Sequence, residues 1–113
     1  MKLVKAIIKP ERFEFVKKAL EDKGFVSMIM TEVRGRGEQK GISLEYRGGM
    51  MTVDMLPKIQ IEIVVRDSDV ENLVSIIMEA ARTGKIGDGK IFIQNLDECI
   101  RIRTEEKGDI AIG

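Results

Sequence analysis

The sequence predicts an α+β domain in which two helices cover one face of an antiparallel sheet. Its 113 residues are typical of one domain, and 43% hydrophobic residues suffice for one compact core. Short β-branched or alternating apolar segments indicate strands, and two longer segments repeat their apolar residues at helical period. The order along the chain is strand–helix–strand, a long insertion, and strand–helix–strand again.

The first half begins with a short apolar, β-branched segment at residues 3–8, which predicts a buried strand. Pro10 and Glu11 then favour the first turn of a helix, since proline suits that position and a carboxylate suits the positive end of the helix dipole. Gly24 is expected to end this helix in a left-handed conformation. Residues 25–33 predict the second strand. The apolar face of the helix consists of Phe13, Val16 and Leu20.

The second half repeats this order. Residues 59–65 alternate between apolar and polar types for most of their length, which predicts a strand with one buried face. Ser68 and Glu71 have the spacing of a capping box, so the second helix is expected to begin there and to stop by Gly84. Residues 91–93 predict the fourth strand. The apolar positions of this helix are Val70, Leu73, Val74, Ile77 and Ala81.

Two βαβ halves of this kind fit the split ferredoxin-like arrangement, with both helices on the same face of the sheet. The sequence offers no third helix to cover the opposite face. Other copies of the chain are the expected cover, which predicts a closed homo-oligomer.

The insertion between the halves spans about residues 35–55. It is rich in glycine and lacks the periodicity of a core segment. Loops of this length inside a compact domain are usually functional or disordered. We therefore expect a mobile recognition arm.

The composition disfavours several classes of function. Lysine plus arginine equals aspartate plus glutamate at 19 each, which argues against a nucleic-acid-binding protein. The chain has no histidine and one cysteine, so the common imidazole bases and the usual nucleophile pairs are absent. No apolar run approaches membrane-spanning length. These features predict a cytoplasmic protein that is not an enzyme and does not insert into a membrane.

Residues 83–90, TGKIGDGK, are the sharpest local signal, and we call them the glycine loop. Glycines let the backbone approach a ligand and turn its N–H groups inward, and Lys90 supplies a charge for phosphate oxygens. The loop is not a P-loop, because Ile91 occupies the position of the magnesium-binding hydroxyl and a strand follows. The alternative is a plain helix-to-strand connection with solvated lysines.

Arg101 and Arg103 strengthen the anion-binding interpretation. Residues 100–103 alternate like a short edge strand, which would place both guanidinium groups on one face as a fork for a triphosphate. The alternative is surface pairing with Glu98, Glu105 or Glu106.

Two weaker signals surround the insertion. Its glycine-rich base carries Gln39 and Lys40, whose amide and ammonium groups could contact a small anion. Lys58 follows Pro57 at the mouth of the third strand. A lysine at such a position is ordinarily solvated, and a neighbouring anion site would be needed to give it a role.

Taken together, these segments resemble the PII nitrogen-regulatory proteins over essentially the whole chain. Residues 83–92 carry the most specific match. The weaker matches are residues 6–10, 31–33, 39–41, 46–48, 56–58 and 100–104.

The resemblance implies a homotrimer that binds ATP or ADP in clefts between its subunits. Gln39 would help to hold a Mg²⁺ ion that bridges ATP and 2-oxoglutarate, and Lys58 would pair with a carboxylate of that acid. The nucleotide-binding residues implied in this way are Gly37, Glu38, Gln39, Gly87, Asp88, Gly89, Lys90, Arg101 and Arg103. The implied 2-oxoglutarate-binding residues are Gln39, Lys40, Gly41, Lys58 and Gly87.

The resemblance also divides the one domain, residues 1–113, into functional segments. Residues 37–55 correspond to the family's T-loop, which selects the target protein, residues 82–90 to its nucleotide-binding B-loop, and residues 99–113 to a C-terminal loop. The implied target-binding residues are Tyr46, Arg47 and Gly48.

Several T-loop positions depart from the family pattern. Met51 replaces the tyrosine that is uridylylated, and Gly49 replaces a serine that some branches phosphorylate, so neither modification is expected. Glu38 replaces a common arginine and Arg36 a common aromatic residue, which bears on nucleotide preference and on 2-oxoglutarate affinity.

Arg47 is retained, and this favours the branch that regulates an ammonium transporter and is recruited by it to the membrane. Three other functions remain open. They are a PII-type regulator of glutamine synthetase or of nitrogenase, a small ferredoxin-like phosphohydrolase, and a trimeric structural module.

Overall fold

The computed structural model describes residues 1–37 and 55–113 in full, and the backbone of residues 42–46 and 49–53. Over these residues the chain forms one four-stranded antiparallel sheet, two α-helices and a separate β-hairpin. The strands are β1 (Lys2–Ile8), β2 (Ile29–Gly35), β3 (Ile42–Tyr46), β4 (Gly49–Val53), β5 (Leu56–Val65) and β6 (Gly89–Asn95), and the helices are α1 (Phe13–Asp22) and α2 (Val70–Ala81).

The sheet has the order β2-β5-β1-β6, so the first strand lies between two strands from the second half of the chain. Ala6 of β1 is opposite Ile61 on one side and Ile91 on the other. Each half supplies a strand, a helix and a further strand, and all neighbouring strands are antiparallel. The predicted ferredoxin-like α+β fold is confirmed.

The core lies between the two helices and one face of the sheet. Val16 and Leu20 of α1 and Leu73 and Ile77 of α2 are at most 1% exposed. Burial of each such side chain is worth about 1.5–3 kcal/mol. The predicted apolar faces of both helices are therefore confirmed. The sheet contributes Val4, Ala6, Ile8, Ile59, Ile61, Ile63 and Val65.

Both helices start one turn later than their sequence signals indicate. A turn of 3-10 helix precedes each, at Pro10–Arg12 and at Asp67–Asp69. The predicted capping box at Ser68 and Glu71 is wrong, because Ser68 lies inside the second 3-10 turn and no side chain caps the start of α2.

The predicted edge strand at residues 100–103 is also wrong. Ile100 makes an isolated bridge to Lys107, and the chain then turns at residues 102–104. The amide of Arg101 donates to the Glu106 carbonyl at 2.9 Å, and the amide of Glu105 donates to the Arg101 carbonyl at 2.8 Å. These local hydrogen bonds replace the strand-to-strand hydrogen bonds that an edge strand would need. The positions of Arg101 and Arg103 therefore do not follow from strand alternation.

Strand boundaries differ elsewhere. β2 begins at Ile29, so the segment from residue 25 to residue 28 is not part of it, whereas β5 already starts at Leu56. The insertion contains the β3–β4 hairpin, in which Ile42 is opposite Val53 and Tyr46 is opposite Gly49. The sequence analysis predicted no strands there.

The sheet face away from the helices is not covered by any described part of the chain. Ile29 on β2 is 62% exposed and Phe92 on β6 is 50% exposed, and their register places both on this face with Lys5 and Glu62. The two outer strands, β2 and β6, each have one unpaired edge among the described strands. Exposed apolar surface of this kind marks a contact surface.

Candidate anion-binding site

The glycine loop joins α2 to β6 through an unusual backbone path. Gly84, Gly87 and Gly89 have φ angles of 85°, 96° and 103°. Residues with a Cβ atom rarely adopt such values. The loop therefore depends on the conformational freedom of these glycines, and their predicted role in approaching a ligand stays a prediction.

Asp88 organises the loop from within. Its Oδ2 accepts hydrogen bonds from the amides of Thr83 at 2.9 Å and Gly84 at 3.0 Å, and its Oδ1 accepts one from the Thr83 hydroxyl. These bonds, led by that from the Thr83 hydroxyl, favour the charged form and hold the pKa of Asp88 well below its usual range. The carboxylate therefore stays ionised at neutral pH and holds the two ends of the loop together.

Lys9 contacts the same loop from the end of β1. Its ammonium lies 3.3 Å from Asp88 Oδ1 and donates a hydrogen bond to Thr83 Oγ1 at 3.1 Å. The Lys9 side chain is 16% exposed. Sequence reasoning missed this residue, because the contact joins positions 74 residues apart and no local pattern indicates it.

A cleft of about 470 Å³ opens between the glycine loop, the end of β2 and the start of β5. It brings together six of the predicted site residues, which are Gly37, Lys58, Gly87, Asp88, Gly89 and Lys90. It also contains residues that the sequence did not indicate as site residues, which are Ile7, Gly35, Arg36, Leu56, Lys85, Ile86 and Phe92.

The lining of the cleft contains both cationic and apolar side chains. The cations are Arg36, Lys58, Lys85 and Lys90, while the apolar side chains are Ile7, Leu56, Ile86 and Phe92. Among the described lining residues the carboxylate is that of Asp88, which is paired with Lys9, so this described lining carries more positive than negative charge. A molecule that combines an apolar or aromatic part with several negative charges fits this lining.

Lys58 links the wall of the cleft to the glycine loop. Its ammonium donates a hydrogen bond to the carbonyl of Gly87 at 2.7 Å. An ammonium has three N–H donors, so this bond leaves donors for an anion. The alternation in β5 places Lys58 on the uncovered face of the sheet, next to Ile7.

Arg101 and Arg103 do not line this cleft. β6 begins at the cleft with Gly89 and ends at Asn95, about 20 Å farther along, so the segment that follows starts at the other end of the sheet. The Arg101 guanidinium donates to the Ile110 carbonyl at 3.2 Å and lies 3.8 Å from Glu106 Oε1. Within one chain, Arg101 thus has the surface partner that the alternative interpretation expected.

The other predicted site residues lie outside what the structure describes. For Tyr46 and Met51 only the backbone is described, in β3 and β4. The remaining ones are Glu38, Gln39, Lys40, Gly41, Arg47 and Gly48.

The described residues contain no group of three or more His, Cys, Asp or Glu side chains placed to hold a metal ion. None of the helices in this part of the chain has the length and apolar character needed to cross a bilayer.

The fold and cleft define a class of protein, a small ferredoxin-like domain with a glycine-rich loop beside a cleft that contains several lysines. Comparison with known proteins narrows this class. Residues 1–106 match the family described as nitrogen regulatory protein P-II. The chain therefore belongs to the P-II family, as the sequence resemblance indicated.

Similar proteins occur in archaea and bacteria. The chain is 55% identical over 112 residues to nitrogen regulatory protein P-II 2 of Methanothermobacter thermautotrophicus, covering 99% of this chain and 97% of the relative. It is 51% identical to the nitrogen regulatory proteins P-II of Pasteurella multocida and Bradyrhizobium diazoefficiens, covering 99% of this chain and all of each relative.

Gly89 offers a direct test of how the loop is held against β1. A Cβ atom at this position would lie 1.7 Å from the Ile7 carbonyl oxygen, a backbone atom that cannot move aside cheaply. We expect Gly89→Ala to lower the free energy of unfolding by about 2 kcal/mol more than Gly84→Ala does. Gly84 is the matched control, since its φ is also positive but its Cβ would meet open space. Urea denaturation of both variants measures the difference, and equal losses would contradict the clash.

Proposed function

We propose that this chain is a nitrogen- and energy-status signalling protein that binds ATP or ADP in the cleft and carries out no chemistry itself. The observation that carries the proposal is the convergence of the glycine loop, including Lys85 and Lys90, with Lys58 and several apolar side chains around one cleft. Backbone N–H groups in a turn and lysine ammonium groups are the usual partners of phosphate oxygens. The apolar side chains of the lining would contact the nucleotide base.

The bound nucleotide would lie with its phosphates at the glycine loop. The Asp88 side chain is engaged inside the loop, so any contact of Asp88 with the phosphates would come from its backbone. The ammonium group of Lys90 would supply a positive charge for the phosphate oxygens. Mg²⁺ would bind together with ATP, and Gln39 would help to hold it.

We further propose that the cleft is completed by a second copy of the chain in a homotrimer. Ile7, Lys58, Lys90 and Phe92 belong both to the cleft and to the uncovered face of the sheet, so a copy that covers this face also borders the cleft. The C-terminal loop of that copy would bring Arg101 and Arg103 to the phosphates. Its neighbouring Ile102 is 97% exposed in the single chain, as expected for a side chain that awaits a partner surface.

The second effector in this proposal is 2-oxoglutarate. Lys58 would hold one of its carboxylates with the donors that Gly87 leaves unused, and Gly87 itself borders that position. Gln39, Lys40 and Gly41 would complete the site. Because the dicarboxylate would bind so close to the glycine loop, its affinity would depend on which nucleotide is bound.

The proposed target is an ammonium transporter, contacted through the T-loop by Tyr46, Arg47 and Gly48. A cytoplasmic protein would then be recruited to the membrane by its partner. A phosphohydrolase is the less favoured function. Among the described lining residues the carboxylate is that of Asp88, which is fixed by Thr83, Gly84 and Lys9 and so is poorly suited to act as a base.

Calorimetric titration with ATP, ADP and 2-oxoglutarate tests the ligand part of this proposal. Lys90→Ala should weaken ATP binding by about 10- to 100-fold, because it removes a charge-assisted hydrogen bond to phosphate. Its effect on the free energy of unfolding should stay within about 0.5 kcal/mol, as for other exposed side chains. Lys18→Ala, which removes an exposed lysine of α1, should change neither quantity. Absence of nucleotide binding by the unaltered chain would refute the proposal.

Mixed assemblies test whether two copies build one cleft. Lys90→Ala and Arg103→Ala chains should each fail to bind ATP tightly when alone. Co-assembled in equal amounts, they should regain tight binding in about a quarter of the clefts, since random mixing places intact Lys90 and intact Arg103 together that often. Calorimetric stoichiometry measures this fraction. No recovery would mean that each chain supplies both residues itself.

The target is tested with Arg47→Ala. This variant should lose binding to a detergent-solubilised ammonium transporter while its ATP affinity stays within about twofold, because the proposed nucleotide contacts do not include Arg47. Pull-downs with and without ATP and 2-oxoglutarate measure it. Retained binding would contradict the role of Arg47, and capture of glutamine synthetase instead would reassign the target.

A further inference from the structure

We propose that Lys9 is a positioning residue for the glycine loop. It holds the loop through Asp88 and Thr83 in the conformation that presents Gly87 and Gly89 to the cleft. The effect on ligand binding rests on the proposed function, whereas the effect on the loop itself does not.

The fold brings Lys9 to the base of the loop. Ile8 is the last residue of β1, and the antiparallel register places it opposite Gly89, where β6 begins. Lys9 follows directly, which brings it next to Asp88 and within contact distance of that residue and Thr83. It is not among the residues that line the cleft, so any action on a ligand there is indirect.

The side chains of Lys9, Thr83 and Asp88 provide hydrogen-bond and ion-pair partners for one another. Asp88 Oδ2 is occupied by the amides of Thr83 and Gly84, and Oδ1 by the Thr83 hydroxyl and the Lys9 ammonium. The Thr83 hydroxyl donates to Asp88 and accepts from Lys9 and from the amide of Lys85 at 3.2 Å. Removal of Lys9 leaves one carboxylate oxygen with less than its full set of donors in a part-buried position.

Charge gives Lys9 a second effect. The Asp88 side chain is 25% exposed and belongs to a lining whose other described charged residues are cations. A carboxylate without a counterion would repel an incoming anion. Lys9 offsets this negative charge through its contact with Asp88, although Lys9 itself does not line the cleft.

Lys9→Met tests the inference, because methionine keeps an unbranched apolar side chain and loses the ammonium. Amide hydrogen exchange at Thr83 and Gly84 should become about tenfold faster, since both amides donate to the carboxylate that Lys9 holds. ATP affinity should fall about three- to tenfold. Lys18→Met, with the same loss of one charge from exposed helix surface, should leave both quantities unchanged. Lys9→Arg should restore most of the exchange protection.

A double-mutant cycle separates positioning from general stability. If Lys9 acts through Asp88, then Lys9→Met should add less than about a twofold loss of ATP affinity to Asp88→Asn. An additive loss, or unchanged exchange at Thr83 and Gly84 in Lys9→Met, would overturn the inference even if the unaltered chain binds ATP.

The remaining results are also informative. Failure of the unaltered chain to bind ATP would refute the proposed function, and the exchange measurement would still decide the role of Lys9. Should Lys9→Met not fold, Thr83→Val removes the hydroxyl that bridges Lys9 and Asp88 with little change of shape. It should raise exchange at Gly84 by a similar factor, and normal exchange there would count against the inference.

Discussion

The double pairing of β1 determines where the candidate site forms. β1 hydrogen-bonds to β5 on one side and to β6 on the other, and Ile8 at its end is opposite both Ile59 and Gly89. The start of β5, the glycine loop and the residue after β1 are thereby brought to one corner of the sheet. Burial of Ile8 against the helices fixes the register, since a slip of one residue would expose the whole core face.

Within that corner, the opposite charges have different partners. The one negative charge of the glycine loop is turned inward against backbone amides and Lys9, while its lysines line the cleft. The carboxylate orders the backbone at little cost to the positive potential that an anion meets. Glycine is needed at position 89 because the loop passes directly over the Ile7 carbonyl. Conformation and electrostatics are thus set by neighbouring residues of a single short segment.

Much of this architecture could be predicted from the sequence, and the exceptions share a physical cause. Periodicity identified both helices and the sheet strands because burial imposes it, as at Leu73 and Ile77. Residues 100–103 have strand alternation, yet local hydrogen bonds turn them into a loop, and four residues of pattern cannot reveal that competition. β3 also alternates between apolar and polar residues, but the glycines on either side give the segment the composition of a loop. The glycine loop was identified from its composition, whereas Lys9 depends on a contact between distant parts of the chain.

The open edges of the sheet carry a consequence for assembly. β2 and β6 differ in sequence, so a contact that joins the two edges between copies is heterologous rather than self-complementary. Contacts of this type either close into a ring or continue as a fibre, and the angle between successive sheets selects the outcome. In the proposed homotrimer, the twist of this small sheet would then act on assembly as well as on the packing of its own core. A substitution that flattens the sheet at an outer strand would there favour a polymer over a closed particle without altering a single residue of the cleft.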